Sequence, residues 1–131
     1  MVLPASMRLR GHRCFDHLHR SGKRYHGTLM VLRKVASNPK LLSRGSVGSS
    51  VIGQPRTCRI AVVISGKVHK RAVVRNRLRR LMHNHLRMRF ESRSELRDYW
   101  LLISLRPGAD TGEVNLLEEC DRLLEQAGLK S

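Results

Sequence analysis

The residues best equipped for chemistry lie in one run, Gly66 to Phe90, GKVHKRAVVRNRLRRLMHNHLRMRF. Its 25 residues hold nine Lys or Arg, three His and no Asp or Glu. Side chains of this kind hold anions; with no carboxylate pair among them, general acid–base work is not their chemistry. Arg outnumbers Lys, which suits bidentate recognition of phosphate over bare charge. Arg75 and Arg79 repeat like charge at helical spacing, where a like pair costs about what an opposite pair gains, ~0.2–0.5 kcal/mol. Solvated faces ordinarily mix signs, so a face that keeps this repulsion is explained by a polyanion that removes it. The candidate contacts are Lys67, Lys70, Arg71, Arg75, Arg77, Arg79, Arg80 and His83. Asn76 either caps the helix locally or directs a hydrogen bond among phosphate clamps.

Positioning these groups requires a helix. Past Gly66 the run has no Gly or Pro, and Val74, Leu78, Leu81 and Met82 follow i, i+4, i+7, i+8, which predicts an amphipathic helix over the whole stretch. At about 100° per residue those four share one face. Arg75, Asn76, Arg79, Arg80, His83 and Arg87 fall in the opposite half, with Leu86 and Phe90 intruding.

The rest of the chain frames that helix. At 131 residues it is one domain, with a net charge of +16 and a sequence pI of about 11.4. Residues 1–90 carry 21 basic side chains against Asp16 alone, whereas residues 91–131 carry five against nine acids. Such asymmetry points to nucleic acid or an anionic surface and says nothing of fold. No apolar run approaches membrane-span or signal-peptide length, so a soluble cytoplasmic protein is expected. Cys14, Cys58 and Cys120 form no C-x-x-C and read as reduced, partly buried small hydrophobes.

Residues 1–7 read as a flexible lead-in to a domain spanning 8–131, and Met7 is an alternative start. Cys14, Phe15 and Leu18 predict a short helix from Gly11 to Arg20, ended by Gly22 as a C′ glycine. Lys23–His26 and Thr28–Val35 read as strands. Residues 36–57, rich in Ser, Gly and Pro, read as a disordered loop insertion; the G-S-V-G within it lacks flanking helices and so is linker rather than a backbone clamp. Arg59–Ser65 and Tyr99–Leu105 read as buried strands around the basic helix. Asn115 with Glu118 resembles a capping box, and Leu116, Leu117, Cys120, Leu123, Leu124 and Ala127 trace a last helix up to Gly128. The order α-β-β-β-α-β-α, with a crossover inside one sheet, predicts an α+β, two-layer α/β sandwich.

Other chemistry is thin. The carboxylates cluster beyond residue 90, where a solvated face is the ordinary reading. His83 and His85, two apart on a helix, diverge too far to share a metal; His12, His17 and His19 form only a loose group. No aromatic pattern supplies a multi-base stacking platform. Phe15 is either core or the border of a groove where a single strand packs.

Lys67 to Leu81, KVHKRAVVRNRLRRL, resembles the signature of the bacterial ribonuclease P protein subunit, built round its Arg-Asn-Arg motif. The likeness extends to Phe15 with Arg20-Ser21-Gly22-Lys23, to Arg59–Ser65, to Arg106-Pro107-Gly108-Ala109 and to the last helix, most of the chain outside 36–57. It implies an accessory subunit of an endoribonuclease that removes the 5′ leader of precursor tRNA. The catalytic RNA performs the hydrolysis with Mg²⁺ held mainly by RNA and substrate, without an organic cofactor. It further implies that the signature helix docks on that RNA, and that a groove edged by Phe15, Tyr25 and Arg59 holds the leader. The implied fold resembles the second domain of a small-subunit ribosomal protein, with a left-handed crossover where the general rule gives a right-handed one. The chain departs from the family pattern at His19, where a second aromatic is usual, and at Gly66, where a basic residue is.

A ribosomal or other structural RNA-binding protein shares the charge and the sandwich, and is the rival reading. A DNA-binding module lacks helix-turn-helix or zinc spacing here. A membrane-surface helix needs a wide apolar face that this one gives to a sheet.

Overall fold

The computed structural model describes residues 7–9, 11–37, 58–91 and 99–129. Nearly all of the 36–57 segment, and residues 92–98, lie outside the described residues. The elements are helix α1 (His12–Ser21), strands β1 (Lys23–His26), β2 (Met30–Ala36) and β3 (Arg59–Val63), helix α2 (Ala72–Phe90), strand β4 (Tyr99–Leu105), a 3₁₀ turn (Ala109–Thr111) and helix α3 (Glu113–Gln126). The predicted order holds. The strands form one sheet, β1-β2-β4-β3. β2 is antiparallel to both neighbours, while β3 and β4 run parallel, joined by the crossover through α2.

Alternation along the strands builds two cores. Met30, Leu32, Ile60, Val62, Leu101, Ile103 and Leu105 meet Leu78, Met82, Leu86 and Phe90 of α2 and Leu116, Cys120, Leu123 and Leu124 of α3. Sheet and these two helices make the sandwich. On the opposite face Val35, Ala61, Trp100 and Leu102 pack beneath Cys14 and Leu18 of α1. β4 is therefore buried on both sides, which is why YWLLISL shows no polar alternation. All three cysteines are buried, and none is in a disulfide.

Several element ends differ from the sequence expectation. Met7, read as lead-in, is core at 1% exposure. Leu9 N donates to Ile60 O at 3.0 Å, so this segment lines the free edge of β3. Gly22 is extended rather than left-handed; a Cβ there would sit 2.3 Å from Leu18 O, so close approach is what requires glycine. α3 starts at Glu113 behind Gly112, ahead of Asn115, and the predicted capping box does not form. Its far end is as predicted: Gly128 has φ 75°, its N–H reaches Glu125 O, and Leu129 N reaches Leu124 O, a Schellman closure.

Two carboxylates of α3 are structural anchors rather than parts of a solvated face. Glu119 is buried and accepts the N–H groups of Thr28 and Leu29 at 2.9 and 2.7 Å, docking the β1–β2 turn. Asp121 accepts Arg89 Nε and Nη2 at 2.8 and 2.9 Å and His85 Nε2 at 2.8 Å, tying α3 to the end of α2. Arg89 foremost, with His85, holds the Asp121 carboxyl down at about 2, against 3.8 ordinarily. A depressed carboxyl stabilises the fold fully above its unfolded pKa and loses that contribution as pH falls through the folded one. Between pH 4 and 2 the shift corresponds to roughly 2 kcal/mol. Urea melts across that window should show Asp121→Asn flattening the acid loss; a pH profile identical to the parent chain contradicts the clamp.

Candidate nucleic-acid interface

α2 begins six residues later than the sequence pattern suggested, at Ala72. Gly66 to Arg71 is instead a folded turn. Val68, 6% exposed, pins it to the core, and Val68 N donates to Ser65 O at 3.1 Å. Lys67 N reaches Ser65 Oγ at 3.3 Å and Arg71 N reaches His69 Nδ1 at 3.1 Å. Arg75 then reaches back: its Nη1 donates to His69 O at 2.9 Å and Lys70 O at 2.8 Å. The turn bearing Lys67, Lys70 and Arg71 is thereby fastened to the first turn of the helix.

The apolar stripe of α2 is not a straight face. Steps of four residues overshoot a full turn by about 40°, so the line Val74, Leu78, Met82, Leu86, Phe90 winds round the helix. Leu86 and Phe90, which a single wheel placed among the polar groups, are fully buried. Arg75, Arg79, His83 and Arg87 run along one half-buried flank, and Val73, Asn76, Arg77, Arg80, Asn84 and Met88 face outward. Asn76 is not the cap, since Arg71 holds that position; its Oδ1 accepts Arg79 Nη1 at 2.8 Å.

Charge is neutralised unevenly along this helix. Arg87 pairs with Glu91 and Arg89 with Asp121, so its last turns are internally balanced. Among the described residues no ion pair reaches Lys67, Lys70, Arg71, Arg75, Arg77, Arg79 or Arg80. His83 adds no charge near neutrality: burial first, then the Arg79 and Arg8 charges, push its pKa down to about 4. His85 Nε2 lies 2.8 Å from Asp121 Oδ1, whereas His83 Nδ1 is buried with no hydrogen-bond partner among the described residues. Among the described residues no group of three or more His, Cys, Asp or Glu is placed to hold a metal ion.

The sheet separates the residues expected at the second site. Arg59 and half-buried Phe15 belong to the α1 face, Arg59 donating to Arg8 O at 3.0 Å. Tyr25 pairs with Leu32 across the hairpin and packs on the other face, against the α2/α3 core. It is not brought together with Phe15.

What borders Phe15's face is a row the sequence reading did not single out. Register aligns His26, Val31, Ser104 and Val63 across all four strands. α1 covers the neighbouring positions Val35, Trp100, Leu102 and Ala61 but leaves this row open, with Val63 39% exposed. Period-two alternation in MVLRKVA and YWLLISL carried the signal, yet only pairing register shows which positions share a row. Past Val63 the chain runs directly into the basic turn at Lys67, so open flank and cationic helix start are contiguous.

A four-stranded sheet with a cationic helix start that no acid neutralises among the described residues defines an α+β domain with an anion-binding face. The chain belongs to the ribonuclease P protein family, whose model, described as Ribonuclease P, matches residues 3–128. It is 77% identical over 130 residues to a ribonuclease P protein component from a Synechococcus strain, covering 99% of each chain. It is 58% identical over 132 residues to one from Prochlorococcus marinus, covering 100% of each. The fold is similar to the Staphylococcus aureus RNase P protein, with a TM-score of 0.73 at 14% identity over 95% of this chain and 98% of that one. It is also similar to the RNase P protein from Thermotoga maritima, with a TM-score of 0.64 at 18% identity over 91% and 96%.

The geometry divides the arginines by role. Replacing Arg75 with Gln removes two carbonyl partners and should cost about 1–2 kcal/mol in chemical denaturation. Arg77→Gln and Arg80→Gln, both outward, should stay within about 0.5 kcal/mol of the parent. Equal costs at all three positions contradict the division.

Proposed function

We propose that the chain is the protein subunit of ribonuclease P and acts by holding two RNAs in register. Lys67, Lys70, Arg71, Arg75, Asn76, Arg77, Arg79 and Arg80, on the clamped turn and the first half of α2, would dock on the catalytic RNA. The open sheet flank on the Phe15 face would receive the single-stranded 5′ leader of precursor tRNA, with Arg59 at the far, α1-covered end of β3. The observation that carries this reading is the set of fixed, uncompensated cations at one end of that flank. Tyr25, on the other face, would act on the leader only indirectly through the hairpin.

The site's donors are ammonium and guanidinium groups, which do not bind Mg²⁺; that ion requires hard oxygen ligands, which RNA phosphates supply. When bound there it provides the hydrolytic chemistry. The chain's own part is to neutralise phosphates, orient the leader and leave its sequence unread, since phosphate contacts position without specifying. His83, neutral near pH 7, would contribute hydrogen bonding rather than charge. The absence of a membrane-length apolar helix among the described residues and the RNA partners fit work in the cytoplasm.

The test is precursor-tRNA cleavage by a cognate RNA subunit at low Mg²⁺, with and without the chain, alongside binding of leader-bearing and mature tRNA. Stimulation of cleavage, and a protein-dependent gain in affinity confined to the leader-bearing substrate, are expected. A folded chain that binds the RNA but stimulates nothing favours a purely structural RNA-binding role. Equal gains for both substrates refute the leader assignment.

A further inference from the structure

The β1–β2 hairpin sets two like-charged pairs directly opposite one another, Lys23 with Lys34 and Arg24 with Arg33. Residues so paired have Cβ atoms about 5 Å apart, and like charges there destabilise a hairpin. The lysine pair lies on the α3 side, where the protein relieves it. Lys34 Nζ donates to Ala127 O at 2.8 Å and sits 4.4 Å from the Tyr99 ring centre, while Lys23 lies 5.6 Å over Tyr25.

The arginine pair alternates with the lysines and so faces the α1 side, where nothing equivalent relieves it. Among the described residues no ion pair reaches Arg24 or Arg33, and Arg33 Nε is buried with no hydrogen-bond partner. Burial first, then the Arg24 charge, lowers the Arg33 pKa from its usual value; the guanidinium nonetheless stays charged. It lies close to the end of α1, its Cβ 3.5 Å from where a Cβ on Gly22 would be. Two positions along β2 is Val31, in the open row. A half-buried arginine facing an exposed one, with no ion pair to either among the described residues, therefore borders the open flank. It sits on the far side of β4 from β3, about 10 Å across the sheet.

We infer that Arg24 and Arg33 form a phosphate seat that grips the sugar-phosphate backbone of a single RNA strand lying on the open flank. This rests on the leader assignment above and adds the groups that hold the strand at its β1–β2 end. One phosphodiester between two planar guanidinium forks turns the cross-strand repulsion into charge-assisted hydrogen bonding. The seat reads no base.

The experiment measures affinity of the reconstituted RNA–protein enzyme for leader-bearing precursor and for mature tRNA across a salt series. Arg24→Gln/Arg33→Gln should weaken precursor binding several-fold, lessen its log–log salt slope by about 0.7 for the one phosphate lost and leave mature tRNA unchanged. Arg24→Lys/Arg33→Lys should recover part of the loss. Thermal melting should show the Gln variant no less stable than the parent; Arg24→Gln alone, at an exposed position, repeats the test with about half the slope change if the double variant folds poorly. An unchanged precursor slope, or an equal loss for mature tRNA, overturns the seat. Phe15→Ala separates the two ideas: if it abolishes the leader-dependent gain while the arginine variants do not, the flank stands without the seat. If neither variant alters that gain, the leader assignment itself falls.

Discussion

The structure depends on keeping concentrated positive charge in place without acids to balance it. Seven cations from Lys67 to Arg80 occupy a tight turn and the first half of one helix, and among the described residues no carboxylate pairs with any of them. Left loose, they would repel one another and fray the helix start, which also lacks a side-chain cap. Arg75 counters this by binding two carbonyls of the preceding turn, Asn76 by accepting Arg79, and Val68 by burial. The remaining repulsion is what a polyphosphate relieves. In the docking proposed above, the residues that repel one another here are the ones that would meet RNA.

The acids the chain does possess act elsewhere. Glu119 anchors the β1–β2 turn, and Asp121 binds the far end of α2 through Arg89 and His85. Both residues stiffen the support from α3's side without reaching the cationic half of α2. The sequence is basic before residue 90 and acidic after it, and these two acids serve positioning.

Much of this was legible in the sequence. Element order, the buried central strands, the cysteines and the cationic surface follow from periodicity and composition, because burial and charge are written residue by residue. Three things were not. The length of α2 was overread since Gly66 to Arg71 has no Pro and carries helix-tolerant residues; its turn is set by Val68 burial and by Arg75 reaching backward. The winding of the stripe to Leu86 and Phe90 escaped a fixed wheel because a four-residue repeat drifts over nineteen residues. The separation of Tyr25 from Phe15, and the row of His26, Val31, Ser104 and Val63, depend on strand register, which no local pattern encodes.

The most direct test of the central claim is the salt dependence of binding between this chain and the RNA subunit. If the clamped cations are completed by phosphates, log affinity should fall linearly with log salt at roughly −0.7 to −0.9 per contact, a steep dependence overall. Arg77→Gln/Arg80→Gln should lessen that slope by about 1.4–1.8 while folding is unaffected. A shallow slope, or one untouched by removing both outward arginines, would contradict the account.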